Sequence, residues 1–275
     1  MTTTLTNKRV AFVGAGVMGE AMIKGLLARE LIQPAAITAS DPHLERGEEL
    51  KGRYGLNFTT DNAEAITDAD IVVLSVKPQV MGKVLPGLHN RIHEDALVMS
   101  IAAGVKLKRI MEGCDNRHVV RAMPNTPGQI GEGMTAWVAT PDVSDEQLLW
   151  AELVLGALGE TLRVSDEKFM DMATALNGSG PSYVFLLMEA LIDAGVHMGF
   201  SRQDSQKLVQ QTMLGAVNYA IKSGKHPAEL RNQVTSPGGT SAAALYQLEK
   251  GSVRTTISQA VWAAYKRSVE LGQDE

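Results

Sequence analysis

Only one of the 275 residues, Cys114, is a cysteine. That excludes an intrachain disulfide and any thiolate metal cluster, and it fits a reducing setting such as the cytoplasm. No run of about 18 apolar residues is present, so no membrane-crossing helix is expected. Met1 to Asn7 is polar and lacks the hydrophobic core of a signal peptide. Basic residues do not cluster, and 26 lysines and arginines face 31 acidic residues for a net charge of −5, which argues against nucleic acid as a partner. The histidines are scattered. His89 and His93 share i,i+4 spacing, but nothing nearby completes a zinc motif, so a solvent-facing surface is expected there and no metal site. Also missing are a Ser-His-Asp order, a paired-carboxylate arrangement and a GxxxxGK[ST] phosphate loop.

What remains is an ordinary globular composition, 44% hydrophobic and 21% charged, long enough for two domains. Strands are expected over Arg9 to Val13, Ile37 to Ser40, Ile71 to Val76, Ala96 to Ser100, His118 to Ala122 and Met134 to Ala139. Helices are expected over Met18 to Leu31 and Ser144 to Leu158, with Ser144 as N-cap. Strands spaced by helices imply a parallel sheet covered on both faces. Near Ser165 the β-branched runs give way to helical patterns: Glu167 to Leu176, Tyr183 to Gly195, Arg202 to Ser223, Ala228 to Gln233, Ser241 to Lys250 and Val253 to Val269. The chain thus divides into two domains, 1–164 and 165–275. Small residues within the later helices, among them Gly215, Ala216, Ala242 to Ala244 and Ala260, permit close packing. That packing is either within the chain or against a second subunit.

Val10-Ala11-Phe12-Val13 leads into Gly14-Ala15-Gly16-Val17-Met18-Gly19. The glycines of such a GxGxxG turn serve in order for the tight turn, for close approach of a pyrophosphate and for helix–strand packing. The helix N-terminus adds positive potential. The match comes after a strand and opens a helix, the context a dinucleotide site requires. Asp41, 22 residues after Gly19, stands where an acidic group accepts from the adenosine ribose and favours NADH. Ser40, His43 and Arg46 suit the 2′-phosphate of NADPH, provided Asp41 turns away. Asp41 as a simple turn cap beside Pro42 is the remaining alternative.

Three further segments end strands on the same expected edge. Val76-Lys77-Pro78 directs the chain outward, because a residue before proline disfavours helix, and Lys77 is a candidate near the cofactor. Ala102-Ala103-Gly104 carries almost no side chain and leaves room for a ring. Met123-Pro124-Asn125-Thr126-Pro127 is stiffened by two prolines and offers an amide and a hydroxyl. Each also fits a purely structural turn.

Late in the chain, Thr235-Ser236-Pro237-Gly238-Gly239-Thr240-Ser241 is uncharged and rich in hydroxyls, and helical sequence flanks it. Asn177-Gly178-Ser179-Gly180-Pro181 separates two helical runs in the same manner. Either turn can receive a small carboxylate on backbone N–H groups and hydroxyls; well-capped connectors explain the same residues. With a dinucleotide cofactor the natural chemistry is hydride transfer. A ketone or aldehyde would need a general acid, which the turns lack, although Lys77 or Tyr183 are candidates. A protonated imine already draws a hydride, so imine reduction is favoured.

These segments together resemble the pyrroline-5-carboxylate reductase family over nearly the whole chain. The resemblance lies in Gly14 to Gly19, Val76-Lys77-Pro78, Ala102-Ala103-Gly104, Met123 to Pro127 and Gly178 to Pro181. Its most specific part runs from Pro227 through Ser236-Pro237-Gly238-Gly239 to Leu245. It implies NADPH- or NADH-dependent reduction of (S)-1-pyrroline-5-carboxylate to L-proline. It also implies a Rossmann-like α/β NAD(P)-binding domain followed by an all-helical domain that dimerises, with five dimers joining into a decamer in some members. By similarity Asn62 touches the adenosine side and Ser40 lies by the ribose, while Lys77-Pro78, Ala102 to Gly104 and Asn125-Thr126 border the nicotinamide. The substrate carboxylate sits on Ser236 and the Gly238, Gly239 and Thr240 backbone, with Ser179 in the neighbouring turn and the Ser241 hydroxyl near the ring nitrogen. Ser241 and Lys77 are the candidate catalytic residues. Two positions depart from the family pattern: Ser241 replaces threonine, and Ser182 replaces the alanine after Pro181.

Two rival readings stand beside this one. A β-hydroxyacid dehydrogenase-like enzyme would carry a lysine four residues before Asn177, where this chain has Ala173. A non-catalytic NAD(P)-binding assembly protein would have no use for the uncharged turns.

Overall fold

The computed structural model describes residues 5–272. Short apolar runs form the strands β1 (Val10–Val13), β2 (Ile37–Ser40), β3 (Asn57–Thr59), β4 (Ile71–Leu74), β5 (Leu97–Ser100), β6 (Val119–Met123), β7 (Gly133–Ala139) and β8 (Gly159–Arg163). They make one sheet in the order β3-β2-β1-β4-β5-β6-β7-β8. Helices α1 (Val17–Ala28), α2 (Leu44–Tyr54), α3 (Asn62–Ala65), α4 (Met81–Leu88), α5 (Leu107–Cys114) and α6 (Asp145–Gly156) connect the strands. Strand alternation divides the core in two. Val10, Phe12, Ile71 and Val73 pack with Met22, Ile23 and Leu26 of α1 and Val154 and Leu155 of α6. Ala11, Val13, Val72 and Leu74 pack with Met81 and Leu85 of α4 and Ile110 of α5. Burial on both faces is why these strands read as unbroken apolar runs rather than as alternating ones.

Ser144 caps α6 as expected, accepting from the Gln147 N–H in a reciprocal capping box. The expectation of a wholly parallel sheet is corrected at one pair: β7 runs antiparallel to β6, and β8 runs parallel to β7. Only residues 124–132 join β6 to β7, fewer than the dozen or so that a parallel crossover needs. Strands β3 and β8 were not expected from the sequence. Both lie at sheet edges, and most of their side chains are exposed or half-exposed, so neither carries an apolar run.

The sheet is followed by α7 (Lys168–Ala173), a π-helical turn (Thr174–Gly178), α8 (Gly180–His197), α9 (Arg202–Ser223), α10 (Pro227–Gln233), α11 (Thr240–Lys250) and α12 (Val253–Leu271). The break expected at Asn177 to Pro181 is therefore almost closed: Ser179 N–H bonds the Thr174 carbonyl across the π turn at 2.9 Å. By contacts the described chain forms one compact unit of residues 5–181 with 264–272 and a second of residues 182–263. In the first, buried Arg121 of β6 pairs with Glu167 at 2.9 Å and Asp171 at 3.4 Å. Glu167 also accepts from Leu107 N–H, and Asp171 accepts from Ser268 of α12. The two carboxylates thus link the arginine to α5, α7 and α12, and a buried charge persists only with such partners. In the second unit, Gly195 lets α8 approach Ser205 of α9, for a Cβ there would lie 2.3 Å from Ser205 Oγ. Its helices leave Phe185, Leu186, Leu214, Ile221 and Trp262 exposed, an apolar surface of the kind that marks an interaction face. Among the described residues no helix is long and apolar enough to cross a membrane. The Met1 to Asn7 reading lies partly outside the described residues.

Candidate active site

The order β3-β2-β1-β4-β5-β6 places a topological switch point between β1 and β4, where the connections leave in opposite directions and a crevice opens at the strand C-termini. The glycine turn sits there. Gly14 has φ +96°, and a Cβ on it would come within 2.7 Å of Val76 Cγ1 and 2.9 Å of Val76 N. Gly19 packs as tightly, its would-be Cβ 2.7 Å from the Gly14 carbonyl. Gly16 differs from both. A Cβ there would meet no atom within 4 Å. Gly16 is the N-cap of α1 and gives no side-chain cap, so first-turn N–H groups at Val17 and Met18 lack that partner. Room beside Gly16, uncapped amides and a helix N-terminus together fit a pyrophosphate. Ser75, which sequence reading passed over, latches the turn by donating to the Gly14 carbonyl at 2.6 Å. Nothing in its place after an apolar strand signals that contact.

At the end of β2 the Ser40 hydroxyl donates to Asn62 Oδ1 at 2.8 Å. The two residues expected by resemblance on the adenosine side are thus brought together, and the Asn62 NH2 group is turned away from the serine. Asp41 is tied into the turn itself: it accepts from Ala15 N–H at 3.3 Å and from His43 N–H at 3.1 Å, and it contacts the His43 ring at 2.8 Å. The bond from His43 across Pro42 is the turn cap weighed for Asp41, and the contact with Ala15 shows that the carboxylate also braces the glycine loop. Arg46 holds the other end of the same residue, donating from Nε to the Ala15 carbonyl at 2.9 Å. Its remaining nitrogens pair with Glu20 and Glu49, so the positive charge weighed for a 2′-phosphate is already matched by two carboxylates. Burial works to raise the Glu20 pKa, but hydrogen bonds from Arg46 and Tyr54 and the charges of Arg46 and Arg53 hold it below the usual carboxylate range.

Three loops border the other side of the crevice. Val76 and Pro78 are half-buried and Lys77 is exposed, N-capping the short 3-10 turn after β4. Ala102 and Gly104 are buried and Ala103 is half-buried. Gly104 has φ +80° and faces Leu271 at the end of α12, 3.6 Å from a would-be Cβ, so this residue of the small-side-chain loop supplies packing rather than open room. The Asn125 amide, expected to be on offer to a polar ring, is engaged within the protein. Its Oδ1 accepts from Met134 N–H at 2.9 Å, and its Nδ2 donates to Asn177 Oδ1 at 2.8 Å. Thr126 is exposed beside it.

The second unit holds the late turn. Pro237 and Gly238, the latter at φ +72°, occupy its centre, and Gly239 N–H closes it on the Ser236 carbonyl at 3.1 Å. A proline followed by a positive-φ glycine is the type II pattern. A Cβ on Gly239 would lie 2.5 Å from Ser236 Oγ. Because the Gly239 N–H is spent inside the turn, the expectation that this amide holds a carboxylate is corrected. The donors on offer are the first-turn N–H groups of α11, beginning at Thr240, which has no side-chain cap. Ser236 and Thr240 are exposed and Ser241 is half-buried. Ser179 belongs to the first unit, where it joins the π turn to α8. Among the described residues no group of His, Cys, Asp and Glu could hold a metal ion.

A switch-point glycine turn on a Rossmann-like sheet, followed by an all-helical domain with an uncharged turn at a helix N-terminus, defines a dinucleotide-dependent oxidoreductase. Residues 167–271 match the family model for pyrroline-5-carboxylate reductase dimerisation, and residues 9–104 match one described as NADP oxidoreductase, coenzyme F420-dependent. A pyrroline-5-carboxylate reductase of Synechocystis is 42% identical, covering 96% of this chain and 98% of its own. One of Pseudomonas aeruginosa is also 42% identical, covering 98% of both. A reductase structure from Coxiella burnetii superposes with a TM-score of 0.90 at 35% identity, over 97% of this chain and 99% of that one. The Plasmodium falciparum pyrroline carboxylate reductase with NADP bound gives 0.87 at 34%, over 97% and 98%. The chain belongs to the pyrroline-5-carboxylate reductase family.

Proposed function

We propose that the protein reduces (S)-1-pyrroline-5-carboxylate to L-proline with NADPH or NADH. The observation that carries this reading is that reductases of this name align over 96% and 98% of the chain, the glycine turn and the late helical turn included. When bound, reduced nicotinamide would supply the hydride for the imine carbon, and the protonated ring nitrogen would take up the electron pair of the C=N bond. The chain's part is to bind, orient and exclude water.

In this reading Gly14, Gly16, Val17, Met18 and Gly19 receive the pyrophosphate, and Ser40, Asp41 and Asn62 border the adenosine ribose. Val76, Lys77, Pro78, Ala102, Ala103, Gly104, Asn125 and Thr126 border the nicotinamide. Ser236, Gly238, Thr240 and the α11 first turn hold the substrate carboxylate, with Ser179 and Gly239 shaping the two turns. The Ser241 hydroxyl bonds the ring nitrogen, and Lys77 is the candidate cation beside the nicotinamide. The domains are 1–164 for the cofactor and 165–275 for substrate binding and dimerisation. The exposed apolar side chains of the helical unit support a homodimer, and five dimers in a decamer would be the next level of assembly. A lone cysteine supports a cytoplasmic location.

Purified protein is expected to oxidise NADPH or NADH when given pyrroline-5-carboxylate, and to leave both untouched with a 2-ketoacid or an aldehyde. No turnover of pyrroline-5-carboxylate with either cofactor would sink the reading. Ser241→Ala should lower kcat/KM for the imine by about tenfold or more, the loss of one hydrogen bond to a charged group; an unchanged value removes Ser241 from the site.

A further inference from the structure

Strands β6 and β7 part company at the carboxyl edge of the sheet, and the parting is filled by two side-chain amides. The last paired residues are Met123 and Ala136. Pro124 comes next and has no N–H with which to extend the ladder. Past that pair both backbone groups of Met134 face the β6 side without a strand partner, and buried backbone groups require one. Asn177 donates from Nδ2 to the Met123 carbonyl at 3.1 Å and to the Met134 carbonyl at 2.9 Å. Asn125 accepts from Met134 N–H at 2.9 Å and donates to Asn177 Oδ1 at 2.8 Å. Donors and acceptors match only in this arrangement: flipping the Asn125 amide would set its NH2 against an N–H, and flipping Asn177 would set its oxygen against two carbonyls.

Asn177 reaches the fork from the π turn, whose Ser179 N–H to Thr174 carbonyl bond spans five residues. A π turn inserts one residue and rotates the helix beyond it, so it changes which side chain faces the sheet. Gly178 permits the approach. A Cβ there would lie 2.5 Å from Met123 Cε.

We infer that Asn177 is a positioning residue for hydride transfer. It acts by fixing the Asn125-Thr126 loop, and its role rests on the reading that this loop borders the nicotinamide. Asn177 touches neither cofactor nor substrate in this account. It holds the loop that does, and loop displacement of about 1 Å can cost about a hundredfold in rate.

The test is single-turnover hydride transfer with NADPH and pyrroline-5-carboxylate both saturating, normalised to folded protein. Asn177→Ala is expected to slow transfer by about ten- to a hundredfold while the substrate KM stays within about threefold. Asn125→Ala should slow it comparably, and the double variant should be no more than about twofold slower than the worse single, because the two amides act as one unit. Asn177→Ser, which keeps one donor, should recover part of the rate, and it serves as the test variant if Asn177→Ala does not fold. Transfer within twofold of wild type in the Asn177 variant, whatever its Tm, overturns the proposal. If Asn125→Ala slows transfer and the Asn177 variant does not, only the proposal falls. If Asn125→Ala and Thr126→Ala are both unaffected, the reading of that loop as the nicotinamide border falls as well.

Discussion

The three glycines of the cofactor turn should separate stability from binding. At Gly16 a methyl group enters open space, and the backbone lies at φ −70°, ψ −175°, which alanine adopts without strain. Gly16→Ala should therefore stabilise the free protein by about 0.4–1 kcal/mol, through lower entropy of the unfolded chain. For a chain of this size that raises Tm by roughly 1–4 °C. On the proposed reading that the pyrophosphate lies beside Gly16, the same methyl group occupies its space. Losing one charge-assisted hydrogen bond of about 1.5–3 kcal/mol weakens NADPH binding by about 10- to 100-fold. Gly19→Ala gains about 1 kcal/mol in helix propensity but sets its Cβ 2.7 Å from the Gly14 carbonyl and 3.0 Å from Ser75 Oγ. Overpacking of that kind costs about 1–3 kcal/mol, so Tm should fall or hold while the Ser75 latch is disturbed. Gly14→Ala adds strain of about 1–3 kcal/mol at φ +96° to a clash with the Val76 backbone and should be the least stable of the three. Thermal unfolding without cofactor and fluorescence titration with NADPH read the two quantities separately. The reasoning fails if Gly16→Ala destabilises the free protein as much as Gly14→Ala, or if it binds NADPH as tightly as wild type.

Burial pushes the Cys114 thiol up to about 12, so iodoacetamide at pH 8 should label it only as fast as the protein opens; labelling in native buffer at the rate of a free thiol contradicts its placement. The Glu20 carboxyl is held below its ordinary range, so its contribution is complete at neutral pH and is lost as pH falls through the depressed value. Glu20→Gln should accordingly cost about 1 kcal/mol at pH 7, after allowance for solvent screening, and less on the acid side of the carboxylate range. An equal cost at both pH values, measured by denaturant unfolding, would show that charge is not what Glu20 contributes.

Much of the sheet was legible because strands buried on both faces are written as continuous apolar runs: β2 falls on Ile37–Ser40 as expected, and α9 on Arg202–Ser223. The glycine turn was legible for a related reason, since the positive φ of Gly14 and the close approaches at Gly14 and Gly19 call for glycine, whatever surrounds them. Strand β8 and the reversed direction of β7 were not. An exposed edge strand needs no apolar signature, and direction is set by the length of a connection rather than by the residues of the strand. Asp41 and Arg46 were visible as charges near the ribose, but not as the two ends of a brace on Ala15.

Residue type and local spacing thus determined which backbone conformations form, where a pyrophosphate can approach and which chemistry the turns lack. Tertiary structure alone decided the partners that polar groups find far away in sequence. Ser75 latches the Gly14 carbonyl, and Asn125 meets an asparagine 52 residues away in sequence. A hydrogen bond is made with whatever the fold brings within about 3 Å, and that partner is not encoded in the neighbourhood of either residue.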